Sequence, residues 1–285
     1  MKKRYQFAGV ELEINIPKQW MYSDERMLRP FRTDRVSHPH QFHMEIVEEL
    51  DAPQGREIAA MPGYRVFNHG GIQERYIGSV EQGWQNAYIK ATHHGKNHSV
   101  QLKASECGST IGVKSVLNAM SAEHLVLEAD GVILHASFIE HDGKAILFTA
   151  PSGTGKSTQA ELWAKHRGAE IINGDRAVIR LIDGKPYACG IPFAGSSTYC
   201  KNKTLHLAAI VFLGQAPSTS ISRLTGISAF TRIWHECTVN TWNPEDVDKA
   251  TGIVLDILSK VPVFHLTCTP DESAVTALED ALKNI

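Results

Sequence analysis

Closely spaced cysteine pairs are missing from this chain of 285 residues. It has five cysteines at wide spacings and no C-x-x-C pair, so neither a disulfide framework nor a four-cysteine zinc site fits. Reduced thiols are typical of a cytoplasmic protein, and we expect that compartment. The chain begins Met1-Lys2-Lys3-Arg4, but polar residues interrupt the apolar segment that a signal peptide needs.

Long hydrophobic runs and an excess of one charge are also missing. No stretch approaches about 18 uninterrupted apolar residues, so we expect no membrane span and no membrane partner. Lys and Arg number 29 against 31 Asp and Glu, a net charge of −2, and we expect no nucleic-acid partner because the usual basic excess is absent. The chain is 42% hydrophobic, enough for a core, and its length predicts two domains at about 150 residues each.

Residues 1–108 predict a β-rich N-terminal domain. Val10–Ile16 alternates apolar and polar residues, which indicates a half-buried strand. Glycine and proline separate further short strands predicted at 64–67, 76–77, 87–90 and 100–102. Two histidine groups in this part lack cysteine and helical spacing, which favours solvated loop histidines over a zinc site; they are His38, His40, His43 and His93, His94, His98.

Residues 109–285 predict a larger α/β domain, because strands and helices alternate along them. A helix is predicted over 113–128, followed by strand Gly131–Ile139. Asp142-Gly143 then predicts a hairpin turn into the apolar strand Ala145–Thr149. Beyond a glycine-rich loop and a helix to about residue 166, strands are predicted at 170–173, 177–182, 187–189, 205–213 and 261–268, with a second hairpin turn at Asp183-Gly184.

The segment Ala150-Pro-Ser-Gly-Thr-Gly-Lys-Ser157 matches the loose phosphate-loop pattern, between a buried strand and a helix as the motif requires. Glycines let the backbone turn its amides inward to form a concave anion site, and the helix N-terminus adds positive dipole character. The predicted nucleotide-binding residues are Ser152, Gly153, Thr154, Gly155, Lys156, Ser157 and Thr158. Lys156 would reach the β- and γ-phosphates, and Ser157 would ligate Mg²⁺.

Two further residues complete the candidate site. Asp175 follows the apolar pair Ile171-Ile172, which predicts a position at the carboxyl end of a strand adjacent to the loop strand, where a carboxylate holds metal or takes a proton. Its alternative interpretation is an ordinary turn aspartate. His135 lies in the apolar strand before the loop, where spacing alone leaves a structural role and a functional role equally open.

The combination of His135 on the first hairpin strand, the phosphate loop on the return strand, and Ile-Ile-Asn-Gly-Asp-Arg at 171–176 resembles HPr kinase/phosphorylase. It is more similar to the HPr-kinase-like P-loop kinases of bacterial peptide-modification gene clusters, with phosphoenolpyruvate carboxykinase a more distant relative. The resemblance spans roughly residues 110–280. It implies an α/β P-loop kinase domain of the HPr-kinase type beside the smaller β-rich domain.

The resemblance implies an ATP- and Mg²⁺-dependent kinase that transfers the γ-phosphoryl group to a hydroxyl, with a peptide or protein serine as the first choice of acceptor. It implies Asp175, His135 and Lys156 as catalytic residues, and Ser157 and Asp175 as metal ligands. It also implies a homo-oligomer. The alternatives are a small-molecule kinase and a nucleotide-responsive binding module without phosphotransfer.

The chain departs from the family pattern at two positions. The family carries two adjacent aspartates before the arginine, but Gly174 replaces the first here, so Asp175 must act alone or share its roles. Ala150 stands where the loop usually has glycine. Finally, Gly190–Ser197 is expected to be a mobile loop flanking the acceptor site, with a plain connection as the equal alternative.

Overall fold

The computed structural model describes residues 1–18, 25–107, 111–195, 197 and 199–284. They form two compact units, Met1–Leu125 and Val126–Ile285. The division falls within a helix, Ala122–Glu128. The domain boundary that the sequence predicts, between 108 and 109, lies earlier in the chain, and the placement of residues 109–125 in the kinase-like domain stays a prediction.

The first unit is built on an eight-stranded sheet in the order β1-β2-β3-β8-β7-β6-β5-β4. Neighbouring strands are antiparallel except for the parallel pairs β2–β3 and β3–β8. The strands are β1 Lys2–Phe7, β2 Val10–Asn15, β3 His40–Val47, β4 Arg56–Met61, β5 Tyr64–His69, β6 Ile72–Gly78, β7 Ala87–His94 and β8 Asn97–Lys103. Its helices are α1 Glu25–Leu28, α2 Val113–Ala119 and the start of α3 Ala122–Glu128, with 3₁₀ turns at Arg29–Phe31, Trp84–Asn86 and Ala104–Glu106.

Two expectations for this part of the chain are wrong. The single helix predicted over 113–128 is two helices, because Ser121 takes a left-handed backbone conformation (φ 52°) between α2 and α3. Three of the expected loop histidines instead form a hydrogen-bonded chain inside the sheet. His98 lies 3.1 Å from a ring nitrogen of both His40 and His93, and His40 and His98 are buried.

The second unit is mixed α/β. Its strands are β9 Gly131–His141, β10 Lys144–Thr149, β11 Glu170–Asn173, β12 Arg176–Ile182, β13 Lys185–Cys189, β14 Thr204–Gln215, β15 Ser220–Leu224, β16 Cys237–Thr238 and β17 Val263–Cys268. Its helices, after the end of α3, are α4 Lys156–Arg167, α5 Gly226–His235, α6 Pro244–Leu258 and α7 Glu272–Lys283. Both predicted hairpin turns are confirmed, since Asp142-Gly143 and Asp183-Gly184 have positive φ at both residues.

The long strand β9 changes partners half-way along its length. Residues 131–135 pair with β12, and residues 136–141 pair with β10. The strand pairings β10–β9–β12–β13–β14–β10 form a closed path. His135 stands at the change of partner, opposite Arg176, while its neighbour Ala136 is opposite Thr149, the last residue before the phosphate-loop segment.

The expectation that Asp175 follows a strand adjacent to the loop strand is wrong in one respect. Strand β9 lies between the two, because residues 138–140 pair with both β10 and β11. Asp175 does follow β11 directly, in the Gly174-Asp175 connection to β12. Since β10 and β11 are both antiparallel to β9, their carboxyl ends lie at the same edge of the sheet, and the loop and the aspartate meet there.

Candidate functional site

The glycine-rich segment 150–157 forms a tight turn between β10 and α4. Gly153 and Gly155 both have positive φ, at 81° and 114°, conformations that suit glycine. Gln159 donates the first helical hydrogen bond to the Gly155 carbonyl, so the amides of the first helical turn precede it and have no intrahelical partner. The segment therefore presents free amides at a helix N-terminus, the arrangement that binds phosphate. Ser152 is exposed on this turn.

Lys156 is buried although it carries a charge. Its Nζ donates to the carbonyl oxygens of Ala150, at 2.8 Å, and Pro151, at 3.3 Å. Burial lowers the pKa of Lys156, and the negative charges of Glu236 and Asp175 offset part of that change. An ammonium group has three donors, so one remains for an anion, and phosphate oxygens would compete for the other two.

A cavity of about 620 Å³ opens beside the glycine-rich turn. Its walls are Gly153–Gly155, Thr158 and Gln159, with the end of β14 and residues 268–270 opposite. The Gln159 amide donates to the Cys268 sulfur at 3.2 Å. The volume suits a small organic ligand such as a nucleoside. The sequence did not predict where the base of the nucleotide would bind, because no motif marks the residues that line this cavity.

Asn173 fixes the turn that carries Asp175. Its side-chain oxygen accepts from the backbone N–H groups of Asp175 and Arg176, at 2.9 and 3.0 Å. Its side-chain nitrogen donates to the carbonyls of Ile191 and Phe193. Because Asn173 is fully buried, it ties the aspartate turn to the segment that begins at Gly190.

The Asp175 carboxylate lies between two nitrogen donors. Nε2 of His135 is 3.5 Å from one oxygen, and Nε of Arg176 is 3.4 Å from the other. Burial raises the pKa of this carboxyl group, but the His135 hydrogen bond and the Arg176 and Lys156 charges outweigh it and hold that pKa below its usual value of 3.8. Asp175 is therefore ionised at neutral pH, as a proton acceptor or metal ligand must be.

A second cavity, of about 410 Å³, reaches Asp175 from the other side of the α4 N-terminus. It is lined by Ser157, Gly174, Asp175, Ala194, Ser197 and Tyr199, among others. Gly195 lies against the aspartate: a Cβ on it would be 2.7 Å from the Asp175 carboxyl carbon. The predicted loop Gly190–Ser197 does border this cavity. Its mobility stays a prediction, and residue 196 lies outside the described residues.

Glu236 belongs to the site and was missed by sequence reasoning. Its carboxylate lies 3.1 Å from Nδ1 of His135, and its backbone carbonyl accepts from the His135 N–H at 2.9 Å. It follows α5, 101 residues along the chain from His135. No motif surrounds it, and the pairing of the next two residues, β16, with β9 brings it near.

The donor set fits a hydrated magnesium ion better than a protein-only metal cage. Among the described residues, no group of three or more His, Cys, Asp or Glu side chains is arranged to hold a metal. Ser157 and Asp175 nevertheless line one cavity, and the Ser157 hydroxyl reaches the Gly174 carbonyl at 3.4 Å. Magnesium is commonly held by one or two carboxylates together with substrate phosphates and water, so these residues suit it.

Comparisons with solved structures find similar chains, and one distant example is a kinase/phosphatase. The solved HPr(Ser) kinase/phosphatase from Coxiella burnetii is similar over 53% of this chain and 88% of that chain, at 12% identity and a TM-score of 0.32. No protein-family model matches the chain, and no curated protein matches it by sequence. In the described part of the chain, no helix is long and apolar enough to cross a membrane.

Proposed function

We propose that this chain is a kinase that transfers the γ-phosphoryl group of ATP to a hydroxyl group, with a serine of a peptide or protein as the acceptor. The observation that carries the proposal is the meeting of a buried lysine and an ionised aspartate at the carboxyl ends of β10 and β11. Lys156 begins the helix after the glycine-rich turn, and Asp175 borders the cavity that also contains Ser157.

The polyphosphate would lie on the glycine-rich turn. The free amides of the first turn of α4 and the Lys156 ammonium group would stabilise the charge on its oxygens. The neighbouring cavity beside Gln159 and Cys268 would receive the nucleoside. Ser157 and Asp175 would hold Mg²⁺, which neutralises polyphosphate charge when it is bound.

The acceptor hydroxyl would approach through the cavity beside Ala194 and Tyr199. Its proton moves to the Asp175 carboxylate, and its oxygen bonds to the γ-phosphorus as the bond from that phosphorus to the β–γ bridging oxygen breaks. The electron pair of the broken bond stays on the departing ADP. Arg176 and His135, which flank the carboxylate, keep it oriented and ionised.

The test offers ATP labelled in the γ-phosphate, with Mg²⁺, separately to a protein fraction, a peptide fraction and a small-molecule fraction. The wild type is compared with Asp175→Asn and with Asp183→Asn, a matched control in the hairpin turn between β12 and β13. We expect labelled protein or peptide with the wild type and the control. Label should fall by about 10²- to 10⁴-fold or more in Asp175→Asn, with nucleotide affinity retained.

Three other results would contradict the proposal or a part of it. Label confined to the small-molecule fraction would identify a small-molecule kinase. Tight ATP binding with no labelled product in any fraction would favour a nucleotide-responsive binding module, and full transfer by Asp175→Asn would show that another group accepts the proton.

A further inference from the structure

A three-residue segment after α5 contacts both side chains that flank Asp175. Glu236 accepts from His135 Nδ1 at 3.1 Å, and Thr238 Oγ1 accepts from the Arg176 guanidinium. His135 and Arg176 approach different oxygens of the Asp175 carboxylate, at 3.5 and 3.4 Å. Each flanking side chain is therefore held at its far end by residues 236–238 and faces the same carboxylate at its near end.

The segment is itself firmly placed. The Glu236 N–H donates to the Ile233 carbonyl at 3.0 Å, which ends helix α5. Residues 237 and 238 then pair as β16 with Leu134 and Ile133 of β9. Ile233 is fully buried in the core between α5, α6 and the sheet. The backbone at 236–238 is thus anchored by a helix end and by a strand, so its side chains are suited to hold others in place.

The bond to His135 selects one orientation of the imidazole ring. A carboxylate only accepts hydrogen bonds, so Nδ1 donates its N–H to Glu236. The His135 backbone N–H donates to the Glu236 carbonyl. The side-chain bond and the backbone bond together fix the position of the strand and the plane of the imidazole ring. Nε2 then directs its own N–H at the Asp175 carboxylate, which also only accepts.

The Glu236 side chain is only 10% exposed, and those of His135 and Asp175 are about one quarter exposed. Water therefore competes weakly for the hydrogen bond between Glu236 and His135. A partly buried polar contact of this kind positions groups more strictly than a fully exposed one. Small errors in position are costly in group transfer, where a misplacement of about 1 Å reduces rates by about 10²-fold.

We propose that Glu236 and Thr238 are positioning residues of the phosphotransfer site, Glu236 acting through His135 and Thr238 through Arg176 on the Asp175 carboxylate. This inference rests on the proposed function. It adds a pair of residues that touch neither nucleotide nor acceptor and that fix the direction in which the accepting carboxylate points.

The test uses the full chain and four conservative variants. Glu236→Gln keeps the shape of the side chain and removes its charge, and Thr238→Val removes the hydroxyl. Glu279→Gln and Thr276→Val are matched controls, because both residues accept hydrogen bonds from Arg167 on the surface of α4 and α7. We expect kcat to fall by about 10- to 100-fold in the first two variants, with the dissociation constant for ATP unchanged, and no change in the controls.

A second measurement, of the proton resonance of the His135 ring, does not depend on kinase activity. In the wild type, the hydrogen-bonded Nδ1–H of His135 should give a downfield proton resonance, assigned by its absence in His135→Asn. The resonance should shift in Glu236→Gln, because an amide oxygen is a weaker acceptor than a carboxylate, and it should stay in place in Glu279→Gln.

An unshifted resonance in Glu236→Gln, or unchanged kcat in both Glu236→Gln and Thr238→Val, overturns the proposal. If Glu236→Gln does not fold, absence of the resonance from the wild type overturns it equally. If the wild type transfers no phosphate at all, the proposed function fails, and the ring resonance by itself decides whether Glu236 holds His135.

Discussion

Ser197 occupies the space that a side chain at Gly174 would need. A Cβ on Gly174 would lie 2.2 Å from the Ser197 hydroxyl oxygen and 2.4 Å from its Cβ, far inside van der Waals contact. The position where the family resemblance leads one to expect a first aspartate is therefore closed here by the segment that borders the cavity beside Asp175. The single aspartate and the position of that segment are linked features of this chain.

This contact predicts that introducing an aspartate beside Asp175 is harmful. Gly174→Asp should destabilise the chain by about 1–3 kcal/mol, the usual cost of overpacking, because its Cβ would overlap the Ser197 side chain. The measurement is urea denaturation of Gly174→Asp against the wild type. Gly174→Asp combined with Ser197→Gly should recover most of the loss. A fully stable single variant would contradict the closed geometry.

A second prediction concerns Cys268, which lines the cavity beside the glycine-rich turn. Burial raises the pKa of its thiol, so modification by iodoacetamide at pH 7 should be slow. ATP in the cavity should slow it further, by about 10-fold or more at saturation. Mass spectrometry of the modified peptide measures the rate, and Cys268→Ala assigns the signal. In Lys156→Ala the same protection should need at least about 10-fold more ATP, and equal rates with and without ATP in the wild type would place the nucleoside elsewhere.

A third prediction concerns the buried histidine chain of the first unit. Burial lowers the pKa of His93 well below 6.5, and the charges of His98 and Arg75 lower it further. The unfolded chain binds a proton at this position near pH 6.5 and the folded chain does not, so the associated stability is complete above pH 6.5 and is lost as the pH falls below it. Hydrogen exchange of β7 amides should accordingly show less protection at pH 5 than at pH 7.5.

The variant His93→Gln isolates that effect. It should lower the protection of the β7 amides against hydrogen exchange at pH 7.5, because the bond to His98 is lost. It should also make that protection depend less on pH between 7.5 and 5. His94→Gln is the matched control, since His94 is the exposed neighbour. A pH dependence as steep in His93→Gln as in the wild type would assign the titration to another group.

The local parts of the fold could be predicted from the sequence. Alternating residues and Asp-Gly turns are local signals, and they predicted the β9–β10 and β12–β13 hairpins because both turns need positive φ at two residues. The phosphate-loop motif predicted the turn and the start of α4 for the same reason. The split between α2 and α3 was missed, since no glycine marks the left-handed residue Ser121.

The parts that depend on distant pairing could not be predicted. The predicted position of Asp175 relative to the loop strand was wrong. The order of strands in a sheet depends on packing between distant parts of the chain, and here β9 lies between β10 and β11. Glu236 lies beside His135 because the two-residue strand that follows it pairs with β9. The histidine chain likewise depends on the parallel pairing of β3 with β8, which places His98 opposite Phe42 and next to His40.

The most direct test of the account is the affinity for ATP, because every proposed step needs the nucleotide on the turn between β10 and α4. Isothermal titration with MgATP compares the wild type with Lys156→Ala and with Lys165→Ala, an exposed lysine later in the same helix. We predict saturable binding by the wild type and by Lys165→Ala, and a loss of affinity of about 10-fold or more in Lys156→Ala. Equal affinity in all three proteins, or no binding by the wild type, would contradict the account.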